Sequence, residues 1–110
     1  MSMERQLTTT YYVEVKEMTV IKQCKALGST IRVAIVELLR DHGTMTVQDL
    51  AKEFLGAPTM DVSVRRHLQT LCDAGLCERV MVGREFFYSF CPNIARKLTE
   101  ELEDLFFHPY

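Results

Sequence analysis

The chain has 110 residues, 47% of them apolar and 25% charged, with a formal net charge of −2 at neutral pH. That is the length of one domain with one modest core. It has no apolar run approaching the ~20 residues that span a bilayer, and no overall positive charge of the kind that usually marks a nucleic-acid partner. Met1-Ser2-Met3-Glu4-Arg5-Gln6 lacks the apolar stretch of a signal peptide, so a cytoplasmic location without membrane association is expected.

Residues 1–12 read as a flexible N-terminal segment and 13–110 as a single domain, since no repeat, low-complexity stretch or Pro/Gly/Ser linker interrupts them. Val15, Met18, Ile21, Cys24 and Leu27 recur every three residues and predict an amphipathic helix ending near Gly28. Ser29 or Thr30 caps a second helix. Its apolar positions from Ile31 to Leu39 run nearly all round, which predicts a central place in the core. Asp41-His42-Gly43 stops it. Thr46, with Asp49 three residues on, opens a short third helix bearing Val47, Leu50, Ala51 and Phe54. Gly56-Ala57-Pro58-Thr59 is a break. Asp61 is then placed to cap a fourth helix whose inward face is Val64, Leu68, Leu71 and Cys72, ended by Gly75.

The period then changes. Leu76–Val82 and Glu85–Phe90, separated by Gly83-Arg84, read as a β-hairpin. Pro92 opens a last helix carrying Ile94, Leu98, Leu102 and Leu105, with Phe106 and Phe107 near its end. The third and fourth helices form a helix-turn-helix, and the hairpin that follows is a wing. In such a unit the second helix presents its N-terminal residues to base edges in the major groove. Its recognition segment is expected around Ser63–Leu71, with Ser63, Arg65, Arg66 and Gln69 facing double-stranded DNA. Arginine forks match guanine and phosphate, and glutamine matches adenine. Arg84 at the wing tip suits a backbone or minor-groove contact. From Met60 to Lys97 there are six basic and four acidic residues, whereas Glu100-Glu101-Leu102-Glu103-Asp104 alone holds four acids. The charge is therefore polarised, and the net value does not exclude DNA. An arginine pair taken alone would read as a solvated face; the order of elements around it favours the DNA reading.

Several segments together resemble the ArsR/SmtB family of transcriptional repressors. Lys25-Ala26-Leu27-Gly28-Ser29-Thr30-Ile31-Arg32 is similar to the family's "ALGDPTR" entry, and Thr46-Val47-Gln48-Asp49-Leu50-Ala51 to its "TVxELA" helix. Val64-Arg65-Arg66-His67-Leu68-Gln69-Thr70-Leu71 with Ala74-Gly75-Leu76 resembles "VSRHLxxLxxAGLV", and Gly83-Arg84 with Phe87-Tyr88 resembles "GRxxxY". The resemblance implies a mostly α winged helix-turn-helix with a small β-hairpin wing. It also implies a homodimer joined through the first and last helices, acting as a repressor on an inverted-repeat operator. His67 matches the family's histidine and is expected to hydrogen-bond structurally. The chain departs from the family in a longer stretch from Gly56 to Ser63, and in Arg65 where serine is common.

The family's "ELCVCDL" metal helix reads Thr44-Met45-Thr46-Val47-Gln48-Asp49-Leu50 here, without cysteine. In the last helix Glu101, Asp104 and His108 share a face, but the family's paired "DxH" start is missing, and a solvated acidic face is the better account. No cofactor or metal is expected, and the effector is open. Four cysteines stand at 24, 72, 77 and 91. They read as small semi-buried apolar residues, with Cys72 and Cys77, which bracket the end of the fourth helix, as a thiol-switch alternative. No glycine-rich phosphate loop, His-Glu-x-x-His or nucleophile elbow appears, so an enzyme is not expected. A protein-interaction module stays open as the rival function, on the negative net charge and the Tyr/Phe-rich ends.

Overall fold

The computed structural model describes residues 18–54 and 60–107. In chain order these form helix α1 (18–26), α2 (Thr30–His42), α3 (Val47–Glu53), α4 (Met60–Asp73), strands β1 (Cys77–Val82) and β2 (Glu85–Phe90), and helix α5 (Pro92–Phe107). This is the order read from the sequence. The 1–12 segment, Val15, the break at 56–59 and His108 lie outside the described residues.

Local chemistry sets most of the boundaries. Ser29 is the N-cap of α2, its hydroxyl accepting from the Arg32 amide at 3.4 Å. Gly43 ends that helix at φ 80, its N–H donating to the Leu39 carbonyl. Thr46 and Asp49 form a reciprocal capping box on α3: the Thr46 hydroxyl accepts from the Asp49 amide at 3.1 Å, and the Asp49 carboxylate accepts from the Thr46 amide at 3.3 Å. At the end of α4, Leu76 N–H donates to Leu71 O and Gly75 N–H to Cys72 O, with Gly75 at φ 80. This pair of bonds is a Schellman motif, and its partner leucines Leu71 and Leu76 are both buried.

The start of α4 differs from expectation. The helix begins at Met60, so Asp61 lies inside its first turn and is not its cap. Nothing between Thr59 and Ser63 breaks a helix, and once nucleated a helix gains one bond per added residue. Part of the long stretch before Ser63 is therefore helical, and α4 extends beyond Ser63–Leu71 at both ends.

The two strands pair antiparallel from Cys77↔Phe90 to Val82↔Glu85, closed by Gly83 at φ 65. The link between α2 and α3 adds a third rung. Met45 and Tyr88 exchange backbone bonds of 3.0 and 2.8 Å, which makes β2 the middle of the sheet. Tyr88 is buried against a core whose fully covered side chains are Ile35 and Leu39 of α2, Leu50 of α3, Val64, Leu68 and Leu71 of α4, and Leu76.

Helix α1 turns most of its apolar stripe outward. Met18 and Ile21 are 68% and 52% exposed and Cys24 is exposed, while Gln23 and Ala26 are buried. Gln23 is satisfied by donating to the Ala74 carbonyl at 3.3 Å. In α5, Leu98 is buried, but Leu105, Phe106 and Phe107 are 67 to 78% exposed. Two amphipathic helices thus carry apolar surface that the other described residues leave uncovered.

The capping box gives a direct check on α3. Thr46→Ala is expected to cost about 1 kcal/mol and Thr46→Ser only a fraction of that. Urea denaturation of the two variants beside the wild type measures the difference.

Candidate nucleic-acid interface

Helix α3 packs on α4, and α4 is split lengthwise into two faces. Val64, Leu68 and Leu71 are wholly buried. On the opposite side Arg65, Arg66 and Gln69 are exposed, and Ser63 sits half-buried at the margin. The structure thus brings three of the five expected DNA-facing residues onto one strip, with Ser63 at its edge. Arg84 is exposed at the hairpin turn, in the wing. Arg65 and Arg66 have no salt-bridge partner among the described residues. Gln69 is held at one end: its amide nitrogen donates to Asp73 at 2.8 Å, which leaves its carbonyl oxygen and one N–H for a base edge. In the wing Arg79 is not free, because its guanidinium lies over the Phe86 ring at 4.4 Å.

Arg32 holds the opposite side of α4. Its Nε donates to the Ala26 carbonyl and its Nη2 to the Lys25 carbonyl, capping the end of α1, while its Nη1 lies 3.1 Å from His67 Nδ1. A guanidinium can only donate, so Nδ1 accepts and His67 is neutral with its hydrogen on Nε2. Burial, and then the Arg32 charge, push the imidazole below its ordinary value. His67 therefore hydrogen-bonds structurally, as its place in the motif implies. The role of Arg32 was not read from the sequence; the signal lay in the motif Ala26-Leu27-Gly28-Ser29-Thr30-Ile31-Arg32, whose last residue is a cation just past a helix end.

Cys72 is half-buried and Cys77 buried. Burial pushes the Cys72 thiol up and the Cys77 thiol up to about 12, away from the thiolate that exchange chemistry needs. Cys91, also half-buried, is raised by burial as well. Among the described residues no group of three or more His, Cys, Asp or Glu is arranged to hold a metal ion, and no helix is long and apolar enough to cross a membrane.

A helix-turn-helix followed by a hairpin, with a basic strip on the second helix, defines a winged helix-turn-helix. No family model matches the chain, and no curated protein matches it in sequence. Solved structures do. An ArsR-like transcriptional regulator from Rhodococcus sp. RHA1 is 27% identical with a TM-score of 0.69, covering 82% of this chain and 81% of its own. A possible transcriptional regulator for arsenical resistance is 26% identical with a TM-score of 0.65, covering 76% and 83%. The homodimeric winged helix-turn-helix DNA-binding domain of a possible ArsR-family regulator from Mycobacterium bovis shares the fold at 22% identity and a TM-score of 0.67, covering 88% and 90%. With the sequence motifs, these likenesses make the chain similar to ArsR-family winged-helix regulators, whose fold it shares.

The lowered His67 value has a defined sign. Unfolded histidine titrates near its ordinary value of 6.5 and the folded one lower. As pH falls below about 6.5 the unfolded chain binds the proton first, so the contribution of neutral His67, complete above that pH, is lost as pH drops through the folded value. His67→Gln keeps an acceptor for Arg32 and does not titrate. The part of the stability loss between about pH 6.5 and 5 that His67 causes is expected to vanish in this variant, as read by denaturant midpoints across that range.

Proposed function

We propose that the chain is a sequence-specific DNA-binding transcriptional regulator. It acts as a homodimeric repressor that sets α4 into successive major grooves of an inverted-repeat operator, with Arg84 of the wing on the backbone or in the minor groove. The observation that carries this reading is the two-faced α4: one side is locked into the core by Val64, Leu68 and Leu71, and the other presents Arg65, Arg66 and Gln69. The overall charge of −2 does not oppose it, because four acids are gathered in α5 between Glu100 and Asp104. Dimerisation is supported by the uncovered apolar residues of α1 and α5, and the neighbour from Mycobacterium bovis is itself a homodimer. A two-fold dimer reads a two-fold site, which is the reason for an inverted repeat. Ser63, at the margin of the strip, suits a phosphate oxygen. The reading leaves no role for a catalytic centre, and it places the protein where its DNA is.

Titration of promoter DNA tests the reading. Arg65→Ala and Arg66→Ala are each expected to weaken binding about 5- to 150-fold where the side chain reads a base, from the 1–3 kcal/mol of a bidentate contact. If the contact is to phosphate, the salt dependence falls by about one unit of slope instead. A winged helix that serves only to bind proteins would show no shift on promoter DNA at low salt, and that result would sink the proposal.

The dimer is tested separately. Leu105→Glu places a charge in the apolar end of α5, and two-fold symmetry counts it twice. Losing about 1.5–3 kcal/mol of burial on each side should convert the protein to monomer in sedimentation equilibrium and weaken operator binding with it. A variant that stays dimeric would move the interface elsewhere.

A further inference from the structure

The exposed strip of α4 also carries an apolar residue. Val62 is 57% exposed and lies in the first turn of the helix. Stepping by 100° per residue, it falls on the same line as Arg66 and Gln69, four and seven positions on, with Arg65 flanking it. It is thus central to the exposed face and opposite the wholly buried Val64, Leu68 and Leu71. A lone surface valine is ordinary. This one is set between two arginines at the N-terminal end of a recognition helix, the end that reaches deepest into the groove. Local stability does not ask for it either, because valine is a weaker helix former than the alanine, lysine or glutamate that would serve on a solvated face.

Of the groups that base pairs display in the major groove, the C5-methyl of thymine is the apolar one. Resting on the DNA-binding reading above, we infer that Val62 is a specificity-determining residue that packs on a thymine methyl in each half-site. The rise of the helix puts Val62 about 6 Å from Arg66 along the axis. The thymine therefore lies within one or two base pairs of the base or phosphate that Arg66 contacts, on the side away from Gln69. The contact is apolar and adds no salt dependence, so it separates from the arginine contributions in measurement.

The experiment uses the full chain and the promoter fragment that it shifts, with each thymine replaced singly by deoxyuridine, which lacks only the methyl group. One thymine per half-site is expected to weaken wild-type binding about fourfold on replacement, the worth of one buried methyl-sized group. Val62→Ser is expected to bind thymine and uracil versions of that site equally. Its thermal melt should match the wild type, since the position is solvent-facing. Two results overturn the assignment: no uracil substitution weakening the wild type, or a penalty undiminished in Val62→Ser. Failure of the wild type to bind any promoter fragment overturns the DNA-binding reading itself, and the assignment with it.

Discussion

One guanidinium fixes how the recognition helix sits. Arg32 occupies the first turn of α2, the end of a helix where a cation is least favoured by the backbone dipoles, and that turn carries no acid to offset it. The side chain escapes by reaching back to the end of α1, where a cation is favoured and where the Ala26 carbonyl accepts from it, as does the Lys25 carbonyl beside its bond from the Gly28 N–H. Its remaining fork meets His67 in the middle of α4. Three helices therefore meet on three contacts of one planar guanidinium. A lysine could not replace it, because a single ammonium cannot hold two carbonyls and an imidazole in fixed directions.

The same logic extends to the wing. Tyr88 is buried and its backbone is shared between β1 and the Met45 bridge, so the loop before α3, the hairpin and the core move as one unit. The Schellman end of α4 passes straight into β1 through Leu76, which is covered on all sides. The recognition helix and the wing are thereby held to one another with no flexible connector. A protein that reads a groove with one element and the flanking backbone with another needs that property, since both must arrive in register.

How much of this was legible in the sequence follows from where the information lies. The order of elements and most boundaries were readable because each stop or start carries its own chemistry: Ser29, Gly43, the Thr46–Asp49 box, Gly75, Gly83 and Pro92 act locally. The inward residues Val64, Leu68 and Leu71 were readable for the same reason, as a periodic stripe. The start of α4 was not, since Asp61 is as good in a first turn as in a cap and nothing nearby decides between them. The roles of Arg32, Gln23 and the Met45–Tyr88 bridge were not readable either, because each depends on a partner far away in sequence. The stripe of α1 was legible as a period but not as a destination. A period shows that a helix has an apolar side, but it does not say whether that side belongs to the protomer's own core.

That last point links the fold to the proposed mode of action. Helix α1 is tied to α4 twice, by Gln23 on the Ala74 carbonyl just past the end of α4 and indirectly through Arg32 and His67. Its opposite side carries the exposed Met18 and Ile21. Whatever covers those residues is separated from the recognition helix by one helix diameter, about 10 Å, and by polar contacts rather than by a flexible chain. If a second copy covers them, the spacing of the two α4 helices is set by a short, stiff path through α1, with little play to accommodate half-sites of another spacing. The polar residues Gln23 and His67 are useful in that path for their direction. An apolar contact would tolerate sliding, whereas a buried amide and an imidazole each lose a bond if α1 shifts by a residue. Burying Gln23 and half-burying His67 costs solvation, and what the fold gains in exchange is a fixed angle between α1, with its uncovered apolar side, and α4, with its basic strip.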